Sequence, residues 1–474
     1  MLQLSYENGM VDLFQCYLEQ ENKFKDFEIN GIKCWHVLRW CFYYEILNEK
    51  EKGTVIKSEI GNASSSLSKV LYGSKMIKNA IIKNPFFMSK KDKKFLIISS
   101  PRKMRKEGQI IDPVLDPVFS ILKGQYNYIE RPDVYSHLTD QVENDVTFSD
   151  YFELLRLKNI IFKKYDLKKN ELLKVEGLIS EINNIFDVQL DNQKVIEKIN
   201  SELEGFFTYY YSYKKLIKRL RPEVVIEVTH YDKAQLAVTK IAHENNIKVI
   251  ELQHGFTGKF HLAYNCKNFD DYLPDTLLTY GDYWNQYTTF PSEMVAIGNC
   301  YLEKEVIKSK NNRNTILVIS QGPVADVLID AALEIYDYIK KTGKNYKIVY
   351  KLHPNEIANW KTNYKKLVNS GITVVGNEVP LYEIFANASI QIGVYSTALL
   401  EGMAFDLKTI IMKAFSYEYF NDLIENNYVY LAENNSDIIN IINKKEISKC
   451  DLSDIWKRNS YENMKSYFDK LEKL

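Results

Sequence analysis

The first apolar pattern along the chain has helical spacing. It covers Met10 to Glu21 and then Ile32 to Leu47, where Trp35, Leu38, Phe42 and Ile46 share one face and are expected to form core. From Val55 to Ser89 apolar and basic residues mix. Leu71, Met76, Ile77, Ala80 and Ile81 mark an apolar stripe beside Lys75, Lys78 and Lys83, as on an interfacial helix or on a solvated basic helix packed in its own domain. Phe95 to Ser99 reads as the first strand, ended by Pro101. The run from about Phe148 to Leu220, rich in Lys, Glu, Ile and Leu, predicts two or three helices.

After Arg221-Pro222 strands and helices alternate, which predicts a parallel sheet. The strands expected are Val224 to Val228, Lys248 to Leu252, Thr276 to Tyr280 and Val295 to Ile297, with a helix at Lys233 to Glu244. Gly298-Asn299 and the polar run Lys308 to Asn314 mark a boundary, so the domains expected are 1–300 and 301–474. Beyond it come strands Thr315 to Ile319, Lys347 to Leu352, Thr373 to Val375, Ile390 to Val394 and Thr409 to Met412. Helices are expected at Ala325 to Lys341, Ile357 to Val368, Leu381 to Ala386 and Ala398 to Phe405, and a last one at Leu452 to Leu474 that packs back across the boundary.

A chain of 474 residues is too long for one ordinary core, in keeping with two domains. The 62 Lys and Arg balance 62 Asp and Glu, which removes a whole-molecule argument for nucleic acid as partner. The balance hides an uneven distribution: Ser68 to Lys106 holds twelve Lys or Arg and one acid, Asp92. No secretory leader and no apolar run long enough to span a bilayer stands out, so a cytoplasmic protein is expected. Six cysteines, without CxxC or zinc-type spacing, read as reduced and mostly buried.

Ligands of open parallel sheets bind at the carboxyl ends of strands, where loop amides and helix N-termini converge. Three polar motifs follow expected strands: Ser320-Gln321-Gly322, His353-Pro354 and Ser396-Thr397. Ser396 is placed to cap a helix whose Thr397 and Ala398 amides would hold a phosphate, and Glu401, one turn on, to reach a diol such as a ribose; a routine cap is the other reading. Pro354 fixes the turn that presents His353 to a diphosphate or phosphodiester oxygen. In the first unit, Gly255 would let Gln253-His254-Gly255 turn sharply and leave His254 at the sheet mouth as acid, base or donor to a leaving group, with His230 as second candidate. There is no P-loop, no dinucleotide fingerprint and no Gly-x-Ser-x-Gly elbow.

At these residues the chain resembles the bacterial capsule and surface-polysaccharide glycosyltransferases of GT-B architecture, the group of the sialyl-, polysialyl- and Kdo-transferases. Gln253-His254-Gly255, His353-Pro354 and the run from Tyr395 to Gly402 carry the resemblance, over residues 220 to 415. It implies an α/β fold of two Rossmann-like domains facing across a cleft, with a helix-rich N-terminal part. It also implies that His353, Ser396 and Thr397 engage the donor phosphate, that Glu401 contacts the ribose, and that no cofactor or bound metal is needed. Polysialyltransferases carry paired acids before a glycine; here Lys106-Glu107-Gly108 has one, which leaves Glu107, Asp112 and Asp116 as candidate bases.

The activity expected is transfer of a sugar, first a CMP-activated acidic sugar, from a nucleotide donor to a surface or capsular glycan, lipid-linked at the inner membrane face. Donor binding falls to Gln321, Gly322, His353, Pro354, Ser396, Thr397 and Glu401, and catalysis to His254. The Lys69–Lys106 region would meet an anionic membrane surface, and no nucleic acid is expected as partner. The rivals are a CDP-polyol phosphotransferase of the teichoic-acid type, a non-hydrolysing nucleotide-sugar epimerase and a catalytically inactive glycan-assembly subunit.

Overall fold

The computed structural model describes residues 9–50, 66–90, 93–99, 101–106, 108–132, 137–138, 146–266, 270–286, 289–307, 313–444 and 451–471. It forms two compact units. One holds the described residues through Ile297 and those from Glu462 onward; the other is Gly298–Tyr461.

The first unit is built on seven parallel strands: β1 (Phe95–Ile98), β2 (Tyr126–Glu130), β3 (Val146–Phe148), β4 (Val224–Glu227), β5 (Lys248–Leu252), β6 (Thr276–Thr279) and β7 (Glu293–Ala296). Their order is β7-β6-β5-β4-β1-β2-β3, so the direction of winding reverses between β1 and β4. That is the doubly wound arrangement, whose ligands sit at the strand ends beside the reversal. Helices α1 (Gly9–Gln20), α2 (Trp35–Lys50), α3 (Ser66–Ile82), α4 (Asp150–Ile161), α5 (Lys169–Phe186), α6 (Asn192–Leu220) and α7 (Lys233–Glu244) complete its helix-rich body. Trp35, Leu38, Phe42 and Ile46 of α2 are all buried, as their spacing predicts. Asp191 caps α6 by accepting the Lys194 amide at 3.1 Å; Arg221, in the left-handed region ahead of Pro222, ends it.

The second unit has six parallel strands: β8 (Thr315–Ile319), β9 (Lys347–Lys351), β10 (Thr373–Val375), β11 (Ala388–Gly393), β12 (Lys408–Met412) and β13 (Tyr430–Ala432). Their order, β10-β9-β8-β11-β12-β13, reverses between β8 and β11. Helices α8 (Ala325–Thr342), α9 (Leu381–Asn387) and α10 (Thr397–Ala404) flank it. Every residue of β8 is buried, the signature of a central strand covered on both faces. The expected α/β class, with two Rossmann-like sheets and a helix-rich N-terminal part, is therefore what the structure shows.

Three expectations are corrected. The helix expected over Ile357 to Val368 is absent; there is a single turn at Pro354–Glu356 and a four-residue helix, Trp360–Asn363. The short helix ends at Tyr364, whose backbone (φ −112, ψ +53) leaves the helical region and whose hydroxyl returns to Glu356 at 2.5 Å. The last helix, α11 (Ser460–Leu471), begins later than Leu452 because Asn459 adopts φ +59, and Asp451 caps a separate short turn. Strands β2, β3 and β13 were not expected. Of five cysteines described, Cys34 and Cys266 are buried and Cys16, Cys41 and Cys300 are partly buried, and none of the five is in a disulfide; Cys450 lies outside the described residues.

Candidate functional site

In the second unit, polar groups gather at the carboxyl ends of β8, β9 and β11, beside the reversal. Their hub is Glu356, buried and absent from the sequence-derived set. One oxygen accepts the Ser320 hydroxyl at 2.9 Å and the Tyr364 hydroxyl; the other accepts the His353 amide at 2.6 Å. Ser320 follows β8 and His353 follows β9, so one carboxylate ties two adjacent strand ends together. The signal was legible: a glutamate three residues after the first residue of a turn is the spacing of a capping box.

The capping box also orients the imidazole. The Asn355 amide donates to His353 Nδ1 at 3.3 Å, so Nδ1 is an acceptor and Nε2 bears the proton of the neutral ring. His353 and Pro354 are exposed. The result is an outward N–H donor at a strand end, the chemistry a phosphate oxygen requires. Gln321 spans the reversal: its Oε1 accepts the Tyr395 amide at 3.2 Å, across from β8 to β11, and its NH2 remains a donor. Gly322 is exposed and opens the short turn Gly322–Val324 before α8.

Ser396 is the N-cap of α10, with Oγ accepting the Ala398 amide at 3.3 Å. This corrects one expectation: the cap occupies the Ala398 amide, so a ligand at this helix end meets Thr397, which is exposed. Glu401 lies one turn further. Burial pushes its carboxyl up to about 7, with a hydrogen bond from Tyr382 pulling it partly back. Near neutral pH it can therefore donate to as well as accept from a hydroxyl. Gly402 lets α10 approach β11 closely: a Cβ there would lie 2.0 Å from Gln391 Oε1, while Gln391 Nε2 donates to the Leu399 carbonyl at 2.6 Å and to Thr409 Oγ1 at 2.7 Å.

The first unit holds a different group, at the ends of β4 and β5. Gln253 is structural: Nε2 donates to the Gly255 carbonyl at 2.8 Å and Oε1 accepts the Tyr280 amide at 2.7 Å, joining the ends of β5 and β6. Gly255 is not in the left-handed region, and a Cβ on it would meet nothing within 4 Å. The sharp turn expected of it is thus not what the glycine supplies. His254 is partly buried, and its Nε2 lies 3.1 Å from the Tyr231 hydroxyl. Burial, with the positive charge of Arg102 and the neighbouring His230 adding to it, pushes its pKa down to about 3. The ring is then neutral near pH 7, a hydrogen-bond partner rather than a charged acid.

His230 is fully buried, with Nδ1 2.7 Å from Glu251 Oε2. The Tyr264 hydroxyl holds the other oxygen of Glu251 at 2.8 Å. Tyr231, Tyr264 and Phe290 enclose the His230 ring, so it orients its surroundings rather than meeting a ligand. Glu227 sits beside Glu251 on the paired strand, and burial with that neighbouring charge holds its carboxyl well above the usual range. Sequence reasoning also missed the wall contributed by α2. Trp40 packs on Tyr231 and His261, and Arg39, buried against Glu21, donates to the carbonyls of Leu262 and Asn265 at 2.6 and 2.9 Å. His243, in α7, faces Asp275 and lies outside this group.

The candidate bases fare differently. Asp112 is buried and caps a turn through the Val114 and Leu115 amides, while Asp116 accepts the Asp112 amide. Both serve the start of the Asp116–Leu122 helix. Glu107 lies outside the described residues.

Two doubly wound sheets, each with polar side chains at its carboxyl strand ends, define this chain as a two-unit α/β protein. No protein-family model matches the sequence, and no curated protein matches it. Among solved structures, the UDP-GlcNAc 2-epimerase of Methanocaldococcus jannaschii is similar at 13% identity, with 80% of this chain and 99% of that one covered and a TM-score of 0.47. The UDP-GlcNAc 2-epimerase of Neisseria meningitidis bound to UDP-GlcNAc is similar at 12% identity, 80% and 99% coverage and a TM-score of 0.42. An E. coli trehalose-6-phosphate structure bound with UDP-2-fluoro glucose is similar at 9% identity, 79% and 95% coverage and a TM-score of 0.40. At such scores the activities of those proteins do not carry over to this chain.

Proposed function

We propose that this chain is a nucleotide-sugar-dependent glycosyltransferase of GT-B type, working without a bound metal. It would transfer a sugar, with a CMP-activated acidic sugar the first donor to test, to a surface or capsular glycan at the cytoplasmic face of the membrane. The observation that carries the reading is the Glu356 hub, which holds the ends of β8 and β9 together and leaves His353 Nε2–H outward beside the reversal of the sheet. In this reading His353, Gln321 and Thr397 bind the donor phosphates, with Gly322, Pro354 and Ser396 shaping the three turns that present them. Glu401 meets the ribose. His254, neutral and backed by Tyr231, acts in the acceptor-side unit as hydrogen-bond partner and proton acceptor once the charged substrate is bound.

Calorimetry with CMP, CDP, UDP and GDP tests the reading. Binding of at least one, weakened about tenfold or more by His353→Ala, is the outcome expected for loss of a charge-assisted hydrogen bond. If no nucleotide binds, or if His353→Ala binds as the wild type does, the reading fails. Conversion of UDP-GlcNAc to its C2 epimer, with UDP retained in the product and no acceptor present, would assign the chain to the epimerase reaction.

A further inference from the structure

Helices α3 and α4 of the first unit pack against each other. Asn79 Nδ2 donates to Asp150 Oδ1 at 3.3 Å, and the Phe148 amide donates to the Lys83 carbonyl at 2.8 Å. The sequence suggested one apolar stripe on α3, but the stripe divides: Met76 and Ala80 are buried, whereas Ile77, Ile81 and Ile82 face solvent. The second half of the exposed surface comes from α4, about eighty residues further along the chain. Between the two helices lies an open cavity of about 370 Å³ lined by Ala80, Ile81, Phe87, Leu154, Leu155 and Lys158. Leu157 and Ile161 continue the Leu154 stripe at helical spacing, and Phe162 follows. Ile81 is 65% exposed, Phe87 70%, Ile161 76% and Phe162 72%. Single exposed apolar side chains are ordinary; Ile81 and Phe87 at the cavity, with Leu157, Ile161 and Phe162 further along the helix that forms its other wall, make a group that marks an interaction surface.

The charge around it identifies the partner. Residues 66–90 carry five lysines and no acid, and residues 157–169 carry five lysines and one acid, Asp166. Lys75, Lys78, Lys83, Lys158, Lys163 and Lys164 are all exposed. The acids at the base of α4 are engaged inward, Asp150 by Asn79 and His137, Glu153 by Arg156 and Tyr209. A second copy of the chain would bring like charges together on this face. We infer that the α3–α4 face docks on an anionic lipid bilayer, its isoleucines and phenylalanines entering the interface and its lysines meeting headgroup phosphates. The docking stands on exposure and charge; only its bearing on a lipid-linked acceptor rests on the glycosyltransferase reading.

Flotation of the full chain with phosphatidylcholine vesicles, with and without phosphatidylglycerol, tests it. The expected result is recovery with the anionic vesicles, falling as salt rises. The double variants I81S/F87S and I161S/F162S are each expected to lose about tenfold or more in vesicle binding, as is K78E/K158E. All of these side chains are exposed, so thermal unfolding and nucleotide binding should be unchanged in every variant. No flotation at low salt, equal flotation on neutral vesicles, or undiminished binding in the variants overturns the inference. So does dimerisation abolished by the same substitutions, which gives the face to a second copy. Intact flotation without any nucleotide binding overturns the glycosyltransferase reading and leaves the docking face standing.

Discussion

The carboxylate of Glu356 accepts the backbone amide of His353 at 2.6 Å, so the residue that closes the turn after β9 also holds the imidazole's backbone in place. The same residue accepts from Ser320 and Tyr364. Replacing it by alanine leaves three buried or half-buried donors without their acceptor. Glu356→Ala is expected to cost about 3 kcal/mol in urea unfolding and to weaken nucleotide binding with it, whereas Glu356→Gln, which keeps an acceptor, costs less. Equal stability of Glu356→Ala and wild type would show that the hub does not hold the two strand ends.

Gly402 is a packing position. With a Cβ placed 2.0 Å from Gln391 Oε1, Gly402→Ala forces either the Gln391 side chain or α10 to move, at about 1–3 kcal/mol. Combining it with Gln391→Ala should recover part of that loss, a coupling readable in a double-mutant cycle. Strict additivity of the two losses would argue against the contact.

Glu401 makes stability depend on pH. Its carboxyl is raised to about 7 by burial, while in the unfolded chain it titrates near 4.3, the ordinary value of about four. Between these limits the folded protein keeps a proton that the unfolded chain has released. This group's contribution is thus full at the acid end of the window and is lost as pH rises through about 7, by up to about 3 kcal/mol. Glu401→Gln cannot ionise, so its stability relative to wild type should rise from about pH 5 to about pH 8 in urea unfolding. A constant difference would contradict the shift.

His254 has the opposite sign. Its folded pKa, pushed down to about 3, lies below the unfolded value near 6.5, so its contribution is present above about 6.5 and is lost as pH falls toward 3. The ring resonances of His254 in the free protein should show no titration between about pH 8 and about pH 5 by NMR. Under the proposed function, His254→Ala should lower transfer by about 100-fold or more. Titration near 6.5 would refute the buried, neutral state.

Much of the architecture was readable because its strands are uninterrupted apolar runs, Thr315–Ile319 above all. β2 escaped because Asn127 and Glu130 stand inside it, and both are buried with partners, Asn127 on the Ser89 carbonyl and Glu130 on Lys103 and His137. A polar residue within a strand reads as a strand end until its partner is known. At the second unit's strand ends, His353, Ser396 and Gln321 are legible from position alone, and Glu356 from its capping-box spacing. In the first unit, Trp40, Tyr231 and His261 meet only through tertiary folding. The Arg39–Leu262 bond joins residues 223 apart in the chain, a separation no local pattern encodes.

That bond changes what can be cut away. Arg39 is held by Glu21, in the turn after α1, and in turn fastens the segment that follows His254, so that turn and α2 belong to the sheet-end site as much as the strands do. A truncated chain beginning after Lys50 would leave the carbonyls of Leu262 and Asn265 without their donor and Tyr231 without Trp40. An N-terminal deletion should therefore behave as a lesion of the His254 pocket.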